Sequence, residues 1–181
     1  MLEFYITKRV KKVADCAPGF TSGTTSGKGG EFYVVTDPID NAADPKPGTL
    51  RHAVTQTGLL WISFEGSMTI KLKQELIVTS EKTIDARGAN VEICNGASIT
   101  IQFAKNVIIH DHQIHYIIPA KGGMIKDGEN HHGLWGASDG DGFSLFGVTI
   151  FPFTITLMAL LMSFKQVNHT VPTKRCSSLL L

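Results

Sequence analysis

Charge is scarce in this sequence: Asp, Glu, Lys and Arg make up only 18% of its 181 residues. With 17 Lys and Arg against 16 Asp and Glu, the formal net charge is +1. No basic excess exists to neutralise a phosphate backbone, so nucleic acid is not an expected partner. Cysteine is also rare, at Cys16, Cys94 and Cys176. That odd, dispersed set matches neither a disulfide scaffold nor a Cys-x-x-Cys metal knuckle. Helices of ordinary length are missing after residue 55. What is present is 43% hydrophobic residues, with 18 Gly and 10 Phe. This excludes a disordered chain and leaves length for one domain with a real core, or one domain plus a tail.

The two ends read differently from the body. The opening MLEFYITKRVKKVADCA lacks the order of a secretory signal, because Glu3, Lys8 and Arg9 interrupt its apolar residues and the basic residues follow them. Its Leu2, Tyr5, Ile6, Val10 and Val13 spacing predicts a short amphipathic helix, followed by a Gly/Ser/Thr-rich loop, so residues 1–30 are expected as helix and loop. At the other end, residues 148–164 carry no charge and are followed by Lys165, Lys174 and Arg175. A membrane span needs at least about 17 such residues. Two other readings are a buried strand pair kinked at Pro152 and a product of a shifted reading frame.

From Glu31 onward, short β-rich runs alternate with turn residues. EFYVVT is followed by LLWISFEG, MTIKLKQELIV, KTIDARGANVEIC, SITIQF, NVIIH, IHYII and DGFSLFG. Asn95-Gly96, Lys105-Asn106 and Gly122-Gly123 stand where hairpin or coil corners are expected. One short helix is predicted over TLRHAVTQ, with Thr49 as N-cap after Pro47-Gly48. Strands of four to six residues point to an all-β sandwich, barrel or solenoid. The even recurrence of Val91-Ile93, Ile99-Ile101 and Val107-Ile109, with Asn90, Asn95 and Asn106 beside the corners, favours a solenoid.

The ordered blocks ADCAPGF, GEFYVVTD, DPKPGTLRHAV, LWISF, IKLKQELIV, KTIDARGANVEI, ITIQFAKNVIIH and SDGDGFSLFG, from Ala14 to Gly147, closely resemble plant pectate lyases. These belong to the right-handed parallel β-helix group that includes several pollen allergens. The resemblance implies an all-β, right-handed parallel β-helix over residues 31–147, here truncated. It also implies Ca²⁺-dependent β-elimination of pectate, a (1→4)-α-D-galacturonan, in the cell wall or outside the cell. It places two calcium-ligand carboxylates at Asp139 and Asp141, with Gly140 relieving backbone crowding between them. By itself Asp-Gly-Asp is an ordinary solvated turn. Only the surrounding blocks make it a metal site.

Family members continue with an Ile-Trp-Ile-Asp-His-like strand and then an Ala-Asp-Gly-Leu-Ile-Asp-like segment whose Asp residues complete the calcium site. A catalytic Lys and an Arg-containing segment follow. This chain instead runs into VTIFPFTIT, so the resemblance assigns no catalytic Lys or Arg to it and implies weak or absent activity. Residues 158–166, MALLMSFKQ, can be encoded by codons that spell Asp-Gly-Leu-Ile-Asp-Val-Ile-Gln when read one nucleotide earlier. A frameshift or mis-assigned splice junction near Gly147 is therefore the preferred reading of residues 148–181, and the membrane reading falls away with it. An uninterrupted frame through codon 181 in mature transcript would refute this.

Other residues read as structural. His110, His112, His115, His131 and His132 form the densest histidine group, with His110 and His112 expected on one strand face and His115 on the other. They are read as surface or stacked-coil histidines rather than a zinc site. Asp85, Arg87 and Asn90 in TIDARGAN belong to a turn that usually carries Gly where Ala86 stands in the resembled family. Arg51 and His52 are assigned to the cover over the N-terminal end of the helix. Asn168-His169-Thr170 fits a glycosylation pattern inside the divergent tail. The alternative function is a non-catalytic, pectin-binding or allergen-like β-helix fragment, and a third is a membrane-tethered one.

Overall fold

The computed structural model describes residues 25–147. The expected N-terminal helix, the apolar stretch 148–164 and the glycosylation pattern lie outside the described residues. No described helix is long and apolar enough to cross a membrane.

Three parallel sheets wrap one core, as expected for a β-solenoid. The first contains β1 (Glu31–Val35), β2 (Leu60–Phe64), β5 (Lys82–Asp85) and β8 (Val107–His110) in that order. The second contains β3 (Met68–Ile70), β6 (Val91–Cys94) and β9 (His112–His115). In the third, β7 (Ile99–Gln102) lies between β4 (Leu76–Ile77) and β12 (Phe143–Phe146). Each coil contributes one strand to each sheet, so like residues stack. Ile62, Ile84 and Ile109 form one inward ladder, Ile70, Ile93 and Ile114 a second, and Leu76, Ile99 and Phe143 a third. Most of these ladder side chains are buried together. Fully burying one Ile or Leu contributes about 1.5–3 kcal/mol.

The corners need left-handed backbone, which asparagine tolerates better than most residues. Asn95 (φ 54°) and Asn106 (φ 58°) take it, as do Gly122 (φ 81°) and Gly123 (φ 134°). In the TIDARGAN turn the positive φ falls on Gly88 (φ 88°), while Ala86 keeps negative φ and is buried. Alanine is therefore unstrained at position 86. Arg87 closes the same turn onto Asp85, with Nε 2.8 Å from Oδ1.

Between β1 and β2 lies α1 (Leu50–Thr55), capped as the sequence predicts: the Thr49 hydroxyl accepts from the His52 N–H at 3.3 Å. Arg51 is the only basic residue this helix buries. Its Nε donates to Asp40 Oδ1 at 2.6 Å and its Nη2 to Asp40 Oδ2 at 2.9 Å. Nη2 also donates to the Gln74 carbonyl at 2.6 Å, and Nη1 donates to the Glu75 carbonyl at 2.7 Å. Arg51 thus ties the loop after β1 to the strand entering β4. His52 Nδ1 shares a hydrogen bond with the Tyr33 hydroxyl at 3.0 Å.

An antiparallel hairpin departs from the solenoid. Strands β10 (Gly123–Gly128) and β11 (His131–Trp135) are inserted between β9 and β12. Ile125 anchors the hairpin in full burial, and the Lys126 N–H donates to Ala42 O at 2.7 Å. Asp127 holds its two ends together, receiving Trp135 Nε1 at 3.0 Å and lying 2.6 Å from His131 Nδ1.

The histidines do not share a strand as the alternation rule predicts. Asp111 takes positive φ (64°) and divides them between β8 and β9. His112 then turns inward against Phe64, with ring centroids 5.3 Å apart and edge to face. Among the described residues neither of its ring nitrogens meets a hydrogen-bond partner, although the His110 backbone is close enough to favour the charged form slightly. Burial dominates and pushes His112 down to about 4. The unfolded chain takes up this proton near pH 6.5, whereas the folded chain resists it until about pH 4. Stability is therefore expected to fall by about 3 kcal/mol as pH drops through that window, and to level off below it. Urea unfolding at stepped pH checks this; His112→Phe should flatten the dependence, and an unchanged slope in that variant would contradict the assignment.

Candidate metal and polysaccharide site

Asp139, Gly140 and Asp141 form the turn that leads from the hairpin into β12. The turn is built locally: the Asp141 N–H donates to Asp139 Oδ1 at 3.3 Å. This is the side-chain-to-backbone closure that aspartate favours two residues before the acceptor's partner. Gly140 has φ +90°, and a Cβ there would meet Pro119 Cγ at 2.9 Å. Both the backbone conformation and the neighbour therefore select glycine. Gly140→Ala is expected to cost about 1–2 kcal/mol and to disturb the turn; a melting temperature equal to wild type would contradict this.

The turn is fastened to the chain just after β9. The Ala120 N–H donates to Ser138 Oγ at 2.7 Å, and the Ser138 N–H returns a bond to Ala120 O at 3.0 Å. Beyond the turn, Gly142 packs near Ile114 and its carbonyl accepts from the Ile99 N–H. The backbone of the turn is thus held by the solenoid while both acidic side chains remain exposed. An exposed pair of hard oxygen donors suits Ca²⁺, which takes 6–8 oxygen ligands. Among the described residues no third Asp, Glu, His or Cys joins them in a compact ligand group.

The other residues singled out by sequence lie apart in role. Asp85, Arg87 and Asn90 close the turn between β5 and β6, and Arg51 is bound into the buried network with Asp40. His131 and His132 sit on the hairpin, where His132 Nε2 faces Ala43 O at 2.9 Å. His110 Nδ1 lies 3.8 Å from Asp85 Oδ1, too long for a hydrogen bond. Burial lowers the pKa of His110, with the Asp85 carboxylate opposing.

Sequence reasoning missed the hairpin and the Asp40–Arg51 pair. The hairpin turns at Glu129-Asn130, between Gly128 and His131, and this pair carries none of the Asn-Gly or Asp-Gly chemistry that marks a tight antiparallel turn. The pairing of Asp40 with Arg51 had no local signal, since a loop and a helix must first be brought together by the coil.

Comparison with known proteins agrees with this architecture. No protein-family profile matches the chain. A Solanum lycopersicum protein described as a probable pectate lyase is 58% identical over 139 residues, covering 77% of this chain and 31% of that protein. A pectate lyase of Lilium longiflorum is 55% identical over 138 residues, covering 76% and 32%. The crystal structure of Jun a 1, the major allergen from cedar pollen, superposes with a TM-score of 0.74 at 41% identity, covering 77% of this chain and 41% of that one. The chain spans about a third of the length of the curated relatives it matches. Over about three quarters of its length the chain is 55–58% identical to these plant pectate lyases, and its solenoid resembles theirs in sequence and in fold.

Proposed function

We propose that this chain contributes to Ca²⁺-dependent β-elimination of pectate, the (1→4)-α-D-galacturonan of the plant cell wall. The observation that carries this reading is the exposed Asp139-Gly140-Asp141 turn, held by the solenoid in a chain of pectate lyase descent. Asp139 and Asp141 would hold the ion as two of its oxygen ligands. When bound, Ca²⁺ supplies a charge that can join protein carboxylates to a galacturonate carboxylate and make the neighbouring C–H easier to deprotonate. Among the described residues neither side chain forms a salt bridge, so both keep their negative charge at the surface. Gly140 lets them stand two residues apart on one tight turn.

Binding of polygalacturonate without turnover is the second reading. It is favoured by the fact that only two acidic groups occupy the turn among the described residues, because calcium affinity follows ligand number and charge. Absorbance of the unsaturated product on polygalacturonate, with calcium and with chelator, separates the two. Calcium-dependent product formation supports the lyase. Calcium-dependent retention on polygalacturonate with no product would replace it with the binding protein.

A further inference from the structure

We propose that Glu92, Cys94 and His115 form a second, chemically distinct metal site, suited to a divalent transition ion and best to zinc. The reading is independent of the pectate proposal. It begins with the solenoid register, in which Cys94 on β6 lies directly beside His115 on β9. Val91 and Ile93 point into the core, so alternation turns Glu92 and Cys94 to the opposite face of the same strand. Neighbouring strands are about 4.8 Å apart, which lets side chains from paired positions converge.

The three donor atoms lie within 4.8 Å of one another, and His115 Nε2 is 3.6 Å from Glu92 Oε2. Tetrahedral zinc, with bonds of about 2.0–2.3 Å, separates its ligands by about 3.3–3.8 Å. Small side-chain rotations are enough to close the set. Each ligand is also held from behind. The Asn90 amide donates to Glu92 Oε1 at 3.0 Å, which leaves Oε2 to face His115. The Asn95 amide donates to Cys94 Sγ at 3.3 Å, an interaction that strengthens when the sulfur is a thiolate. Tyr116 packs edge-on against the His115 ring at 4.9 Å. Such outer contacts orient metal ligands and tune their affinity.

Exposure completes the arrangement. Cys94 is only 3% exposed, whereas the side chains of His115 and Glu92 are 25% and 30% exposed. The thiol is sheltered while a fourth position stays open to water. Sulfur and nitrogen donors discriminate against calcium, so this site and the Asp139–Asp141 turn should take different ions. Cysteine binds a metal as the thiolate, so an ion entering here displaces the Cys94 thiol proton. A bound ion would clamp β6 to β9 across two coils.

Cobalt(II) titration of the chain tests this directly. The expected result is one cobalt per chain with a thiolate-to-cobalt charge-transfer band that zinc bleaches. Cys94→Ser should abolish the band. The Cys16→Ser/Cys176→Ser and Asp139→Asn/Asp141→Asn variants should keep it. His115→Gln and Glu92→Gln change half-exposed side chains, and each should weaken binding at least tenfold while the fold, followed by circular dichroism, is retained. A folded wild-type chain with no band, a band that survives Cys94→Ser, or unchanged affinity in both half-exposed variants would overturn the site.

Discussion

Asp40→Ala is expected to destabilise the fold by about 3–5 kcal/mol, which is a large share of the 5–15 kcal/mol typical of a domain. The reason is that both partners are out of water: the side chains of Arg51 and Asp40 are 0% and 2% exposed. Truncating Asp40 leaves a guanidinium buried with only the carbonyls of Gln74 and Glu75. It also takes from the Lys73 N–H the acceptor it reaches at 2.7 Å. An exposed ion pair such as those on most protein surfaces would cost only about 0–1 kcal/mol. Urea unfolding followed by circular dichroism gives the difference, and a loss below 1 kcal/mol would show that the cluster is not the lock between loop and solenoid described above.

The double variant Asp139→Asn/Asp141→Asn is expected to reduce calcium-dependent product formation on polygalacturonate by about a thousandfold. Asn keeps the size of the side chain and its turn-forming ability but removes both negative charges. Loss of a metal's positive charge at a developing carbanion costs several kcal/mol of transition-state stabilisation, and each 1.36 kcal/mol is a factor of ten in rate. Because both side chains are exposed and, among the described residues, make only the local turn bond, the same variant should melt within a few degrees of wild type. Undiminished, calcium-dependent product formation in this variant would exclude the turn as the metal site.

How far the structure could be read from sequence depended on whether the determining interactions were local. Thr49 capping α1 and the left-handed Asn95 and Asn106 corners follow from one residue and its immediate neighbours, and each was expected. Stacked apolar runs were legible because every coil repeats the demand for inward Ile, Leu or Val. The histidine pattern was not, since one positive-φ residue, Asp111, resets the strand alternation and sends His112 into the core. The pairing of Cys94 with His115 depends on coil register and has no signature in linear spacing. Asp139 and Asp141 occupy an intermediate position: the turn is local, but its significance comes from the family resemblance of the blocks around it.

Calcium titration with and without trigalacturonate is the most direct measurement of a divalent ion shared between protein and acidic sugar. Linkage requires each ligand to strengthen the other by the same factor. The expected result is a several-fold rise in calcium affinity on adding the sugar, and its disappearance in Asp139→Asn/Asp141→Asn. Calcium binding that ignores trigalacturonate, or a coupling that survives the double variant, would contradict the proposed role of this turn.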